Sequence, residues 1–420
     1  MSYLDKLLDG VDVQWKYLED VIQSLKTGLN PRKNFILNTD DAEGYYVTVR
    51  EIQKGKIVFL DKTDRVNSKA LAIINNRSTL DVDDILFSGT GTVGRIAVIE
   101  SKPLNWNIKE GVYVIKPRHN TINARYLSHL LNSQNIVDEY RKKIVGSPVV
   151  SLPMKDLKKL QIPIPCPENP KKSLKIQQKI VAILDSFTEL TAELTAELTA
   201  RKTQYSYYRE KLYYFDEKEV QHLPMGDENN GKFIRGGGLQ KKDFTESGVG
   251  CIHYGQVYTY YGTYTDKTKS FVSKEFAKKA RMAKYGDLVI ATTSENDEDV
   301  CKAVAWLGHE DIAVSSDACF YRHNLNPKYV TYFFQTEQFQ KQKRQFITGT
   351  KVRRVNADDL AKIKIPVPSK EEQERIVSIL DKFDILTTSI SEGLPKEIAL
   401  RKQQYEYYRD LLLTFKQQNV

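Results

Sequence analysis

The longest regular pattern in the chain is a stripe of apolar residues at spacings of three and four: Ile176, Ile180, Ile183, Leu184, Phe187, Leu190, Leu194 and Leu198. That period puts them along one edge of an α-helix. The pattern continues through Tyr205, Tyr208 and Leu212 without Gly or Pro. Some forty residues at 1.5 Å each predict a rod of about 60 Å. So long a pattern without internal caps reads as coiled coil. A second stretch of this kind is interrupted at Glu392-Gly393-Leu394-Pro395. Gly suits the residue after a helix end and Pro the first turn of the next, so a kink or tight turn is expected there. Elsewhere the chain reads as short β-rich runs bounded by turn residues: Ile57-Val58-Phe59-Leu60, Asp84-Ile85-Leu86-Phe87-Ser88, Ile96-Ala97-Val98-Ile99 and Val112-Tyr113-Val114-Ile115. Ala124 to Lys143 and Lys328 to Phe346 read as amphipathic helices. Mixed α/β units of about 150 residues therefore alternate with helical ones.

The chain also repeats itself. Ile180-Val181-Ala182-Ile183-Leu184-Asp185-Ser186-Phe187 returns as Ile376-Val377-Ser378-Ile379-Leu380-Asp381-Lys382-Phe383, with six of eight positions identical at an offset of 196. Arg201-Lys202-Thr203-Gln204-Tyr205-Ser206-Tyr207-Tyr208-Arg209 returns as Arg401-Lys402-Gln403-Gln404-Tyr405-Glu406-Tyr407-Tyr408-Arg409 at an offset of 200. Upstream, Asp156-Leu157 to Ile162-Pro163-Ile164-Pro165 matches Asp359-Leu360 to Ile365-Pro366-Val367-Pro368 at an offset of 203. The same offset relates Gly146 to Gly349, Tyr126 to Tyr329 and Asp84 to Asp287. Between these anchors the halves diverge. Shared parts are expected to do a common job, and varied parts to meet different surfaces.

Charge narrows the class. Sixty-three Lys and Arg against 54 Asp and Glu leave a net charge of +9 over 420 residues, which suits an anionic partner, nucleic acid before membrane. No apolar run approaches the ~18 residues of a membrane span, and the acidic start, Asp5 and Asp9, is unlike a signal peptide. Cys166, Cys251, Cys301 and Cys319 form no CxxC pair, so free thiols in a reducing cytoplasm are expected. Cys251-Ile252-His253 matches no structural zinc spacing, and no metal is expected.

Two motifs invite an enzyme reading. Phe87-Ser88-Gly89-Thr90-Gly91 fits the F-x-G-x-G of S-adenosylmethionine sites, and Gly89, Gly91 and Gly94 complete a GxGxxG. Asn326-Pro327-Lys328-Tyr329 nearly fits the Asn/Asp-Pro-Pro-Tyr motif of DNA methyltransferases. A phosphate-binding glycine loop must open a helix, whereas Arg95-Ile96-Ala97-Val98-Ile99 reads as a strand, so the glycines are assigned to a β-hairpin turn. Lys328 replaces the proline that shapes the catalytic loop. A methyltransferase acting alone is therefore the alternative from another class. A third reading is a coiled-coil scaffold whose globular units bind protein or glycan.

The tandem Thr191-Ala192-Glu193-Leu194, Thr195-Ala196-Glu197-Leu198, Thr199-Ala200 is a helical spacer. Four residues add about 6 Å and about 40° of rotation to a helix, against about 3.4 Å and about 35° for one base pair of B-DNA. With this spacer, the doubled Arg-Lys…Tyr…Tyr-Tyr-Arg modules and the Ile-Pro-Ile-Pro stretch closing each globular unit, the whole chain resembles the specificity (DNA-recognition) subunit of type I restriction–modification enzymes, in its Thr-Ala-Glu-Leu spacer subfamily. Leu25-Lys26-Thr27-Gly28-Leu29 and Ile234-Arg235-Gly236-Gly237-Gly238-Leu239 look like that family's domain starts. The resemblance implies an α+β chain with a pseudo-twofold internal repeat. Two mixed α/β target-recognition domains, 1–167 and 217–368, are separated by long antiparallel coiled-coil modules, 168–216 with the spacer and 369–420. It implies no active site and no cofactor. Each domain would read one half of a split, asymmetric site in double-stranded DNA. The helices would fix the gap and dock two methyltransferase subunits, and restriction subunits would join. Tyr3-Leu4-Asp5-Lys6-Leu7 loosely mirrors Tyr208-Arg209-Glu210-Lys211-Leu212, so the chain's end is expected to meet its beginning in a ring.

Candidate DNA contacts follow from hydroxyls, backbone N–H groups and cations at predicted loop tips. In the first half these are Lys26, Arg32 and Lys33, then Ser88, Thr90, Thr92 and Arg95 on the glycine hairpin, with Lys143 and Ser147 before the Ile-Pro stretch. In the second half they are Arg235, Lys241 and Lys242 around the three glycines, and Ser294 in Thr292-Thr293-Ser294-Glu295, which stands in sequence where the first half has its glycine hairpin. The run from Lys341 to Asn356 holds Lys341, Lys343, Arg344, Lys351, Arg353 and Arg354 and no acid. Lys351, Arg353 and Arg354 are its contact candidates, with Arg353 or Arg354 able to reach guanine or only phosphate. Tyr254 and Gln256 interleave an aromatic with an amide suited to adenine, although alternating tyrosines there also fit the two faces of a strand. The hairpin tip also fits an ordinary surface turn, and the Lys26 and Arg235 clusters ordinary solvated loops, whereas six cations without an acid from Lys341 to Asn356 are hard to explain as a merely solvated face. Tyr207-Tyr208 and Tyr407-Tyr408 are read as helix packing or partner contacts.

Overall fold

The computed structural model describes residue 8 and residues 10–32 and 34–415. Lys33 and the Tyr3–Leu7 echo lie outside the described residues. The chain divides into two compact units, 1–194 with 398–420 and 195–397.

The same frame is built in each unit from the repeat anchors. In the first, an antiparallel sheet runs in the order Ile22–Thr27, Val112–Pro117, Ile85–Ser88, Ile96–Val98. In the second, Gly231–Arg235, Ala318–His323, Leu288–Ala291 and Ala303–Trp306 take the same order, with Tyr264–Thr265 added at the edge. Alternate residues of these strands feed opposite cores. Ile85 and Phe87 join the core under the helices while Leu86 joins the other face. Leu288 and Ile290 divide from Val289 and Ala291 in the same way. Residues 85–87 and Leu288–Ala291 are therefore buried on both sides and read as solid apolar runs.

The helices on that sheet break where the sequence reading runs them on. Ala124–Leu131 and Gln134–Arg141 are separate helices, as are Pro327–Phe333 and Glu337–Arg344. At each break Ser133 or Thr336 starts the new helix, its hydroxyl turned back onto the Leu130 or Phe333 carbonyl. Local capping wins over a continuous apolar face there. Ile57-Val58-Phe59-Leu60 also shrinks, to the two-residue strand Lys56–Ile57. The Ile-Pro strands Gln161–Pro165 and Lys364–Pro366 pair with Val13–Tyr17 and His222–Pro224 in two-stranded ribbons. Edges of this kind tolerate proline's missing donor.

The stripe residues lie on one helix, Pro170–Leu212, 43 residues long. The second copy is two helices, Lys370–Thr388 and Gly393–Leu413, broken where expected; Gly393 adopts φ +62°. The copies exchange aromatic partners. In the first unit Phe187 stacks on Tyr408 at 5.2 Å, and in the second Phe383 stacks on Tyr208 at 5.7 Å. The long helix enters the second domain by its C-terminal end and Lys370–Thr388 leaves it by its N-terminal end, so the two run antiparallel.

Repeated polar residues fasten helix to domain. Gln177 and Gln373, both buried, accept the backbone N–H of Asn123 and Asn326 at 2.8 Å. Asp185 pairs with His129 Nε2 at 2.9 Å and Arg125 at 3.0 Å, and Tyr405 Oη lies 3.0 Å from His129 Nδ1. Burial would raise the Asp185 pKa, but His129 and Arg125 hold it below the usual value. Asp381, its repeat partner, accepts from Tyr332 Oη and Lys328 Nζ, each at 2.7 Å.

Candidate nucleic-acid interface

One end of each central sheet gathers most of the predicted contact residues. In the first unit, Thr27 and Ser88 end their strands beside Tyr113 and Val112 at the start of the middle strand. The loops after them therefore share one rim. The hairpin from Ser88 to Arg95 turns through Gly91 and Gly94, at φ +77° and +92°, and returns as the strand Ile96–Val98. No helix opens there, so the phosphate-loop geometry required by the methyltransferase reading is missing. A second hairpin, closed by Val145 and Ser151, is bound to the first: Gly91 donates to the Val150 carbonyl and Leu152 to that of Gly89.

The second unit repeats the arrangement with other residues. Arg235 and Ala291 end their strands beside Cys319 and Ala318. Thr293–Ser294 pairs with Arg353–Arg354, so the two hairpins are again joined. Gly146 and Gly349 occupy equivalent turns at φ +100° and +88°, where a Cβ would strike the carbonyl of Val149 or Val352.

Within these rims the individual predictions fare differently. Lys26, Arg32, Thr92, Arg95, Ser147, Arg235, Lys241, Lys242, Lys351 and Arg354 are exposed, and Thr90 and Ser294 half-buried. Arg95 is tied by its guanidinium to the Val49 carbonyl at 3.0 Å. Lys143 pairs with Glu139 at 2.9 Å, one helical turn away. Three readings need correction. Ser88 is fully buried, and its hydroxyl donates to the Thr92 carbonyl and accepts from Arg95 N–H, so it shapes the hairpin instead of facing outward. Tyr254 and Gln256 lie on a helix, Tyr254–Thr259, not a strand. The Gln256 amide is occupied, its oxygen by His253 N–H and its nitrogen by Ser270 Oγ. The Lys341–Asn356 run is acid-free only along the chain. Arg353 meets Asp297 at 2.8 Å, Arg344 meets Glu337 at 3.1 Å, and Lys343 is fully buried.

Asn326 caps Pro327–Phe333, its side chain accepting from Lys328 and Tyr329 N–H, and Tyr329 is buried. The near-methyltransferase motif is thus a helix start. Sequence reasoning missed the loop 295–299, which presents Glu295, Asp297, Glu298 and Asp299 to solvent in the second rim. Its place in the sequence, at the repeat offset of 203 from the glycine hairpin, was the available signal. The helices carry a second shared surface: Tyr207 and Tyr407 are 60% and 65% exposed, and each meets its neighbouring tyrosine edge-on, at 5.4 and 5.3 Å. No described helix is long and apolar enough to cross a membrane.

The fold is a duplicated one, with equivalent joined hairpins in its two units. The signature of the type I restriction modification DNA specificity domain matches residues 10–201 and 234–400, and the chain belongs to that family. It is 32% identical to the EcoR124I/EcoR124II specificity subunit of Escherichia coli, over 99% of this chain and 97% of that one. Among solved structures, a chain from a study of complex assembly and conformational transition in a type I restriction–modification system superposes with a TM-score of 0.63 at 16% identity, covering 96% of this chain and 97% of the other. The specificity subunit from M. genitalium superposes at 0.51 with 15% identity, covering 97% and 98%. Both share the fold.

Proposed function

We propose that the chain is the non-catalytic DNA reader of a cytoplasmic type I restriction–modification complex. Each rim reads one half of a split duplex site. The carrying observation is that two equivalent hairpin pairs, on matching frames, present different chemistry: Thr92, Ser147 and an apolar tip with Val149 in one, Lys351, Arg353 and Arg354 among carboxylates in the other. Matching frames suit two copies of one task, and differing side chains suit an asymmetric sequence. The near-identical Tyr207-Tyr208 and Tyr407-Tyr408 surfaces support docking of two copies of one partner, the methyltransferase subunit, with restriction subunits joining the assembly. The proposed contacts are the exposed candidates above together with Thr90, Ser294 and Arg353.

The test is to co-express the chain with its methyltransferase partner and map methylated motifs. A two-part motif with a fixed gap is expected. Deleting Thr195 to Leu198 removes about one helical turn and should shorten that gap by about one base pair while both half-sites persist. An active complex with unchanged spacing overturns the spacer's role, and methyl transfer by the purified chain alone overturns the non-catalytic reading.

A further inference from the structure

Lys343 lies in the helix Glu337–Arg344 with no exposed surface, yet among the described residues its hydrogen-bond partners are backbone carbonyls and not carboxylates. Its ammonium donates to three backbone carbonyls, Asp297 at 2.8 Å, Glu298 at 3.1 Å and Val300 at 2.9 Å. An ammonium has three donors, and this loop uses all of them. Burial lowers the Lys343 pKa, opposed by the neighbouring Cys301, Glu298 and Asp297. The loop so held is the rim segment that carries Asp297, and the Asp297 carboxylate receives Arg353 Nε from the opposing hairpin. Arg353 is fixed in turn by its bond to the Gly349 carbonyl. A chain of contacts thus runs from the buried ammonium to both hairpins of the second rim.

The first unit shows why this device is needed. There the Ser88 hydroxyl closes the hairpin from inside, and Tyr140 packs beneath it, edge-on to Phe87 at 5.6 Å and against Gly94, where a Cβ would collide with its hydroxyl. At the repeat offset, Ser88 becomes Ala291, Gly94 becomes Asp297 and Tyr140 becomes Lys343. The second hairpin lacks the hydroxyl that gathers the first one's backbone and has instead an ammonium from the helix Glu337–Arg344.

The geometry points to Lys343 as a positioning residue for sequence choice: it sets the pose of the 295–300 loop, and through Asp297 that of Arg353, without touching DNA. This deepens the half-site reading and rests on it. The experiment is motif mapping with the full chain and its methyltransferase partner, comparing wild type, Lys343→Met and Tyr140→Leu. Methionine keeps an unbranched stem, one atom shorter, and loses the donors. Lys343→Met should relax base choice in one half-site by roughly tenfold or more at one or more positions, leaving the other half-site and the gap intact. Tyr140→Leu should relax the opposite half. The untouched half-site reports that the chain is folded and assembled, which a general loss of stability would not preserve. An unchanged motif with Lys343→Met, or equal loss at both halves, overturns the proposal. A wild-type complex without a two-part motif overturns the half-site reading itself.

Discussion

At matching points beneath the two rims, the first unit has a serine, a glycine and a tyrosine where the second has an alanine, an aspartate and a lysine. The first set holds a neutral turn by a hydroxyl and a ring. The second holds an acidic loop by a buried charge. The backbone frames agree in strand order, so the difference lies in which groups satisfy the loop carbonyls. A rim can change its chemistry if its internal support changes with it. The fastenings between domain and helix vary in the same manner: one repeated aspartate takes His129 and Arg125 in one unit, Tyr332 and Lys328 in the other.

The largest expected effect comes from those fastenings. Asp381→Ala leaves the hydroxyl of buried Tyr332 and the Lys328 ammonium without their acceptor, which should cost about 2–4 kcal/mol. Asp185→Ala should cost about half as much, because Arg125 retains Glu100 at 3.0 Å and His129 retains Tyr405. Thermal melts of both variants make the comparison, and equal losses would erase the distinction drawn between the units. Next in size, Arg353→Ala should cost about 1–3 kcal/mol of duplex binding and relax one position if the guanidinium reads a base. Uniform weakening across sequences would assign it to phosphate, and no change would remove it from the interface.

The smallest effect is a pH dependence confined to the second unit. His323 ends the middle strand, where the first unit has Pro117. Burial pulls its pKa from 6.5 down to about 4. The folded state therefore resists a proton that the unfolded chain accepts. Its stabilising contribution is complete above about pH 6.5 and is lost as the pH falls toward 4. A loss of about 1–2 kcal/mol by pH 5 is expected. His323→Phe should flatten this part of the melting-temperature profile between pH 7.5 and 5, and an identical slope in that variant would acquit the histidine.

Sequence alone determined the doubled plan, the long helix with its spacer, the break at Gly393 and the hairpin nature of the glycine motif. Each is written in local periodicity, in glycine's tolerance of positive φ, or in similarity between the halves, none of which needs distant contacts. Tertiary structure decided which cations face outward. Lys343 and Arg353 sit in one acid-free stretch of chain, yet folding buries the first under three carbonyls and sets the second against Asp297, 56 positions away. It likewise turned Ser88 inward and occupied Gln256. A side chain's availability depends on the partners brought to it through space, and linear order carries little of that information.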